Sequence, residues 1–165
     1  MQKQSAAERL ELLIAEQGDE IYRYCLGILR NHHAAQDAAQ EAFLRAYRGL
    51  HTFREESQMR TWVMRIAINA CRDMQRTAWW KNVVTVAELP ETEQMTPDAQ
   101  AQEIWLAVDT LPARQREIIL LYYYHGFTSA QISSLLHMPK GTVCSYMKRA
   151  RAELARKLGG QFYEA

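Results

Sequence analysis

The chain has 165 residues, 48% of them apolar and 24% charged, with only seven Gly and four Pro. That is an ordinary globular composition and argues against a loop-rich β-protein. The start, MQKQSAAERLELL, lacks the apolar core of a signal peptide, and no apolar run approaches the length that spans a bilayer, so a cytoplasmic protein with no membrane insertion of its own is expected. Net charge is +1, but it is unevenly spread. Residues 1–82 carry 12 Lys/Arg against 10 Asp/Glu (+2), residues 83–103 carry none against five (−5), and residues 104–165 carry eight against four (+4). Two basic segments flank an acidic one, a pattern more informative than the total. Cys25, Cys71 and Cys144 are odd in number and far apart, so they read as structural thiols with no metal spacing or disulfide framework.

Ser5 and Glu8 have capping-box spacing. Leu10, Leu13 and Ile14 give a helical stripe that Gly18 is expected to end. Ile21 to Arg30 repeats the pattern through Ile21, Tyr24, Cys25, Ile28 and Leu29, with Asn31, His32 and His33 as the connection. Neighbouring helical residues point apart and no third ligand is near, so the two His read as a solvated helix end. Residues 34–50 form the third helix, with Ala39, Ala42, Phe43, Ala46, Tyr47 and Leu50 inward and Asp37, Gln40, Glu41, Arg45 and Arg48 outward.

Ser57 is the expected N-cap of a long helix from Gln58 to about Lys81, with Met59, Trp62, Val63, Ile66, Ala67, Ala70 and Met74 inside. Its other faces carry Arg60, Arg65, Asn69, Arg72, Arg76 and Lys81 against one acid, Asp73, interleaved with Phe53, Trp62, Trp79 and Trp80. Basic residues among aromatics suit single-stranded nucleic acid, since charge tracks the backbone and rings stack on bases. Periodicity alone makes Trp62 a core residue. Residues 82–95 read as an acidic linker, broken by Pro90 and Pro97, and the domain boundary is placed there.

Thr96 and Pro97 start a helix with Ile104, Trp105, Val108 and Leu111 as its stripe, and Pro112 starts the next, with Ile118, Leu121 and Tyr122 inward and Gly126 at its end. Thr128 and Gln131 have capping-box spacing before Ile132, Leu135 and Leu136. His137 to Gly141 is the turn. Val143, Met147, Ala150, Leu154 and Leu158 face inward on the last helix, leaving Cys144, Ser145, Lys148, Arg149 and Arg151 outward. A short helix, a turn and a second helix with a basic outer face is the helix-turn-helix pattern, whose second helix fits the DNA major groove. An ordinary helical hairpin with a solvated face would share the pattern.

The expected fold is therefore all-α: two small helical domains (1–82 and 104–165) joined by an acidic linker that runs into the next helix (83–103), the second domain containing the helix-turn-helix. No phosphate loop, His-Glu zinc motif or nucleophile–base pair is present, so nothing argues for catalysis.

Three segments resemble, in order, the extracytoplasmic-function sigma factors of bacterial RNA polymerase: DAAQEAFLRAYRGL (37–50), FREESQMRTWVMRIAINACRDMQR (53–76) and LPARQREIILLYYYHGFTSAQISSLLHMPKGTVCSYMKRARAEL (111–154). The first looks like the helix that docks on the β′ coiled coil, the second like the segment that melts and reads the −10 element, the third like the domain that reads −35. The resemblance implies an alternative sigma factor, not an enzyme, with no cofactor and no metal. It implies core RNA polymerase (β′ and β subunits), promoter DNA and an anti-sigma factor as partners. Asp37, Gln40, Glu41, Arg45 and Arg48 become polymerase contacts. Phe53 and Asn69 match positions around a flipped −10 base, with Trp62 beside them and Arg60, Arg65, Arg72 and Arg76 on phosphates. Cys144, Ser145, Lys148 and Arg149 match base- and phosphate-facing positions at −35, with Thr142 and Arg151 on the same helix, and Arg149 is the guanine reader. Cys144 and Tyr146 stand where the family commonly has a basic residue. A stand-alone helix-turn-helix regulator or a protein-binding adaptor are the competing readings.

Overall fold

The computed structural model describes residues 5–54, 58–77, 80 and 99–159. The expected Ser57 cap, Trp79, the acidic linker, the Thr96–Pro97 start and the C-terminal tail lie outside these residues. The chain divides into two compact units near residue 90. Among the described residues every regular element is helical.

The first unit is a three-helix bundle: α1 (Ala6–Leu29), α2 (His32–Arg48) and α3 (Met59–Gln75), each packed on the other two, with a 3₁₀ turn at Leu50–Thr52 before α3. The Ser5 capping box forms as expected: Glu8 N donates to Ser5 Oγ (3.2 Å) and Ser5 N to Glu8 Oε2 (2.9 Å). Gly18 does not end the helix. The stripe runs on through Ile21, Tyr24 and Cys25, and burying that continuous face outweighs the roughly 1 kcal/mol that a mid-helix Gly costs. Arg30, left-handed at φ 56°, makes the actual stop. Asn31 then caps α2, its Oδ1 accepting from Ala34 N at 2.9 Å. His32 belongs to α2, and its Nδ1 shares a 2.8 Å hydrogen bond with the Tyr22 hydroxyl.

The buried face of α2 is all alanine: Ala34, Ala35, Ala38, Ala39, Ala42 and Ala46. Tyr47, expected inside, is 42% exposed, and Leu44 beside it is 48% exposed. On α3 the core face is Met59, Val63, Met64, Ala67, Ile68, Ala70 and Cys71, so Trp62, Ile66 and Met74 are half-buried edges instead of its centre. The face turned because α3 packs against both α1 and α2, which widens it toward Met64, Ile68 and Cys71.

The second unit holds α4 (Ala99–Asp109), α5 (Ala113–Ile119), a π-helical turn (Leu120–Tyr124), α6 (Ser129–Leu136) and α7 (Lys140–Leu158). Its core gathers Leu111, Ile118, Leu121, Phe127, Ile132, Leu135, Val143 and Leu154, each nearly inaccessible. The wide turn is closed by His125 N donating to Leu120 O at 3.0 Å. Gly126, at φ 74°, supplies the left-handed residue that ends it. The Thr128 box is complete: Gln131 N donates to Thr128 Oγ1 (3.1 Å) and Thr128 N to Gln131 Oε1 (2.9 Å). His137, left-handed at φ 54°, stops α6. Ser133 Oγ then donates to Met138 O at 2.5 Å and fixes the turn before Pro139. Helix α7 starts at Lys140, one residue ahead of the earliest expected start.

Candidate nucleic-acid interface

Trp62, Arg65, Asn69, Arg72 and Arg76 are spaced three, four, three and four residues apart on α3, so they share one face. Asn69 and Arg76 are exposed, and Arg65 and Arg72 are half-buried. Phe53, just past the 3₁₀ turn, reaches the first residue of this stripe. Its ring centroid is 5.2 Å from that of Trp62, at an interplanar angle of 53°. The Arg9 guanidinium of α1 lies over the Phe53 ring at 5.5 Å. A Cβ at Gly49 would crowd Arg45 O at 3.1 Å and would touch Trp62 Cζ2 only in ordinary contact at 3.6 Å. Periodicity made Trp62 a core residue; it is half-buried, at the edge of that face.

Arg60 is not on this stripe. It projects from another side of α3 and binds Glu20 of α1 through both ends of its guanidinium, one bond being Nε to Oε2 at 3.2 Å. One of the four expected phosphate-binding arginines is therefore spent within the bundle.

On α2, Asp37, Gln40 and Arg48 are exposed and Glu41 is half-buried, as an interface would need. Arg45 is different. Its Nη1 donates to Asp73 of α3 at 2.8 Å and its Nε to Glu41 at 3.1 Å. Burial works against its charge, but these hydrogen bonds outweigh burial and hold the guanidinium above its ordinary value. Arg76 also reaches Asp73, at 3.4 Å, so Glu41, Arg45, Asp73 and Arg76 form one chain of ion pairs from the α2 face to the α3 stripe. Leu44 and Tyr47 add apolar surface to the same α2 face. Sequence reasoning missed both, although Leu44, bracketed by buried Ala42 and Ala46, carries the signal of an outward apolar residue.

On α7, Cys144, Ser145, Lys148 and Arg149 are exposed together, and Thr142 is half-buried at the edge. Ser145 Oγ donates back to Gly141 O at 3.0 Å. Arg149 lies 5.9 Å from the Tyr146 ring centroid. Arg151 is exposed yet tethered, its Nε donating to the Tyr123 hydroxyl at 2.6 Å. At the far end of α7, the hydrogen bond from Arg156 pulls the Glu153 carboxyl below the usual range. Among the described residues no three His, Cys, Asp or Glu are placed to hold a metal ion, and no helix is long and apolar enough to cross a membrane.

Comparison with known proteins gives this geometry its context. Residues 13–81 match the family described as Sigma-70 region 2, and residues 101–154 match Sigma-70, region 4. The ECF RNA polymerase sigma factor SigM of Mycobacterium tuberculosis is 32% identical over 141 residues, 85% of this chain and 72% of the relative. SigW of Bacillus subtilis is 30% identical over 157 residues, 85% of this chain and 83% of SigW. SigL of M. tuberculosis is 32% identical over 163 residues, 93% and 92% of the two chains. Among solved structures, the fold is similar to that of the sigma factor RpoE of Bartonella quintana, determined with the anti-sigma factor NepR (TM-score 0.77, 21% identity, 92% of this chain and 97% of that one). It is also similar to CnrH in complex with the cytosolic domain of CnrY (TM-score 0.67, 20% identity, 92% and 88%). Two sigma-70 regions in order on one chain, with relatives of this identity along most of its length, show that it belongs to the extracytoplasmic-function sigma factors, the alternative sigma factors that direct RNA polymerase to promoters.

Proposed function

We propose that the first unit, residues 1–82, carries both polymerase binding and −10 melting. The face Asp37, Gln40, Glu41, Leu44, Tyr47 and Arg48 of α2 takes the polymerase, and the α3 stripe with Phe53 takes the unstacked −10 strand. The observation that carries this reading is the placement of Phe53, Trp62, Asn69 and Arg76 on one exposed edge. An amide for a base edge, aromatic rings for stacking and cations for phosphates lie side by side there. Arg60 and Arg45 tie helices of the bundle together, and Arg65, Arg72 and Arg76 on the stripe are the proposed backbone contacts. In the second unit, residues 104–165, α7 enters the major groove at −35 with Cys144, Ser145, Lys148 and Arg149 toward the bases and phosphates. The chain performs no chemistry. It works in the cytoplasm, and an anti-sigma factor is its regulatory partner, as NepR is in the complex with RpoE of Bartonella quintana.

The test is run-off transcription with core polymerase over genomic fragments of the source organism. Discrete promoter-specific transcripts are expected. Promoter binding that needs no polymerase, on palindromic sites, would instead favour a stand-alone helix-turn-helix regulator. We also infer that the acidic stretch 83–103, at −5, mimics nucleic acid inside the polymerase channel. Neutralising Glu88, Glu91 and Glu93 together is expected to change the pattern of abortive products, and an unchanged pattern rejects the idea.

A further inference from the structure

Arg9 lies outside every segment that carries the family resemblance, yet it touches the melting site. Its backbone is fixed one turn inside α1 by the Ser5–Glu8 capping box, and its N–H donates to Ser5 O at 3.0 Å. From there its guanidinium covers the Phe53 ring at 5.5 Å. The Phe53 ring also tilts against Trp62, with their centroids 5.2 Å apart. Arg9, Phe53 and Trp62 are each half-buried, so the stack stands at the rim of the bundle and not in its core.

A ring face holds one occupant. If Phe53 receives an unstacked base, the guanidinium must leave that face. Base–aromatic stacking is the stronger of the two contacts at a half-exposed site, so the exchange runs toward the base. The displaced cation is then held by its own side chain near the nucleotide it has made room for, and that strand's phosphate offers it an anion. We propose that Arg9 is a DNA-contacting residue of the melting site: it holds the Phe53 ring face in the free protein and exchanges it for a backbone phosphate when a −10 base unstacks. The inference rests on the reading of Phe53 and Asn69 as the base-capturing pair.

The experiment uses holoenzyme, assembled from full-length protein and core polymerase. The probe is a promoter fragment recovered from the run-off assay and premelted across its −10 element, and affinity is measured as a function of salt. One lost phosphate contact to a single strand lowers the salt slope by about 0.7. Arg9→Gln is expected to show that drop, with affinity about five- to tenfold weaker at low salt and unchanged affinity for core polymerase. Arg9→Lys keeps the charge and is expected to keep the slope. Phe53→Ala and Asn69→Ala are expected to lose affinity with the slope intact. Weak binding by those two together with a wild-type slope in Arg9→Gln overturns the Arg9 proposal alone. Wild-type binding by Phe53→Ala and Asn69→Ala overturns the reading of the site, and the proposal with it. A loss in Arg9→Gln that Arg9→Lys fails to restore and that extends to core binding makes Arg9 a structural residue and also overturns the proposal.

Discussion

Arg151 Nε donates a 2.6 Å hydrogen bond to the Tyr123 hydroxyl, joining the recognition helix to the π-helical turn 28 residues earlier. The same guanidinium lies 5.5 Å from the Tyr123 ring centroid and 5.7 Å from that of Tyr122, and the two rings meet edge to face at 4.9 Å. Arg151 therefore orients α7 on its domain before it meets any DNA. A charge-assisted hydrogen bond and a cation–π contact at an exposed site together amount to about 1–2 kcal/mol. Arg151→Ala is expected to destabilise the protein by that amount, and Tyr123→Phe by about 0.5–1 kcal/mol. Urea unfolding of both single variants and the double variant checks the link: additive losses would mean that the two groups do not interact.

Arg149 is untethered by comparison, with only the Tyr146 ring beside it at 5.9 Å. As a bidentate guanine reader it discriminates by about 1–3 kcal/mol at one base pair. Transcription by Arg149→Ala from a panel of −35 variants is expected to lose preference at a single position. A uniform loss over the panel would make the residue a phosphate contact.

Leu44 exposes 48% of its surface amid the charged residues of α2. Such a side chain gains most when a partner covers it, and full burial of a leucine is worth about 1.5–3 kcal/mol. Leu44→Ala is expected to weaken binding to core polymerase by about three- to thirtyfold while the fold stays intact, because the position contributes nothing to the bundle core. Equal affinity, measured by fluorescence anisotropy of labelled protein, would remove α2's outer face from the interface.

Desolvation by burial raises the Tyr22 phenol above its ordinary value of 10.0. The unfolded chain gives up that proton more readily than the folded one. The contribution of Tyr22 is therefore complete below the ordinary tyrosine range and is lost as pH rises through the folded-state value. Denaturant unfolding at a series of alkaline pH values is expected to show a steeper decline for wild type than for Tyr22→Phe above about pH 10. Parallel curves would contradict it.

What the sequence made legible was local. Both capping boxes and the Val143–Leu154 stripe follow from residues three or four apart, and each formed as read. The two-domain, all-helical architecture follows from such stripes. The departures are all tertiary. Gly18 sits inside a helix because the stripe on either side of it is buried against the other two helices. Tyr47 left the core because alanines alone fill the α2 face. The arginines divide in the same way. Arg60, Arg45 and Arg151 look like free surface cations in the sequence, but their acceptors lie 40, 28 and 28 residues away, beyond the reach of any periodicity. Sequence periodicity cannot tell such tethered cations from the rest of the stripe. The presence of a site was legible, and which of its charges are committed elsewhere was not.

The wide turn at Leu120–Tyr124 holds one residue more than an α-turn would. In an α-helix each residue advances the chain by about 100°. Deleting one residue there would thus act on everything downstream as a rotation rather than a shortening. Gly126, Phe127 and the Thr128 cap would leave the helix pointing a different way, and α7 would no longer meet α5, which precedes the turn. A single surplus residue thus sets the direction in which the last two helices leave α5.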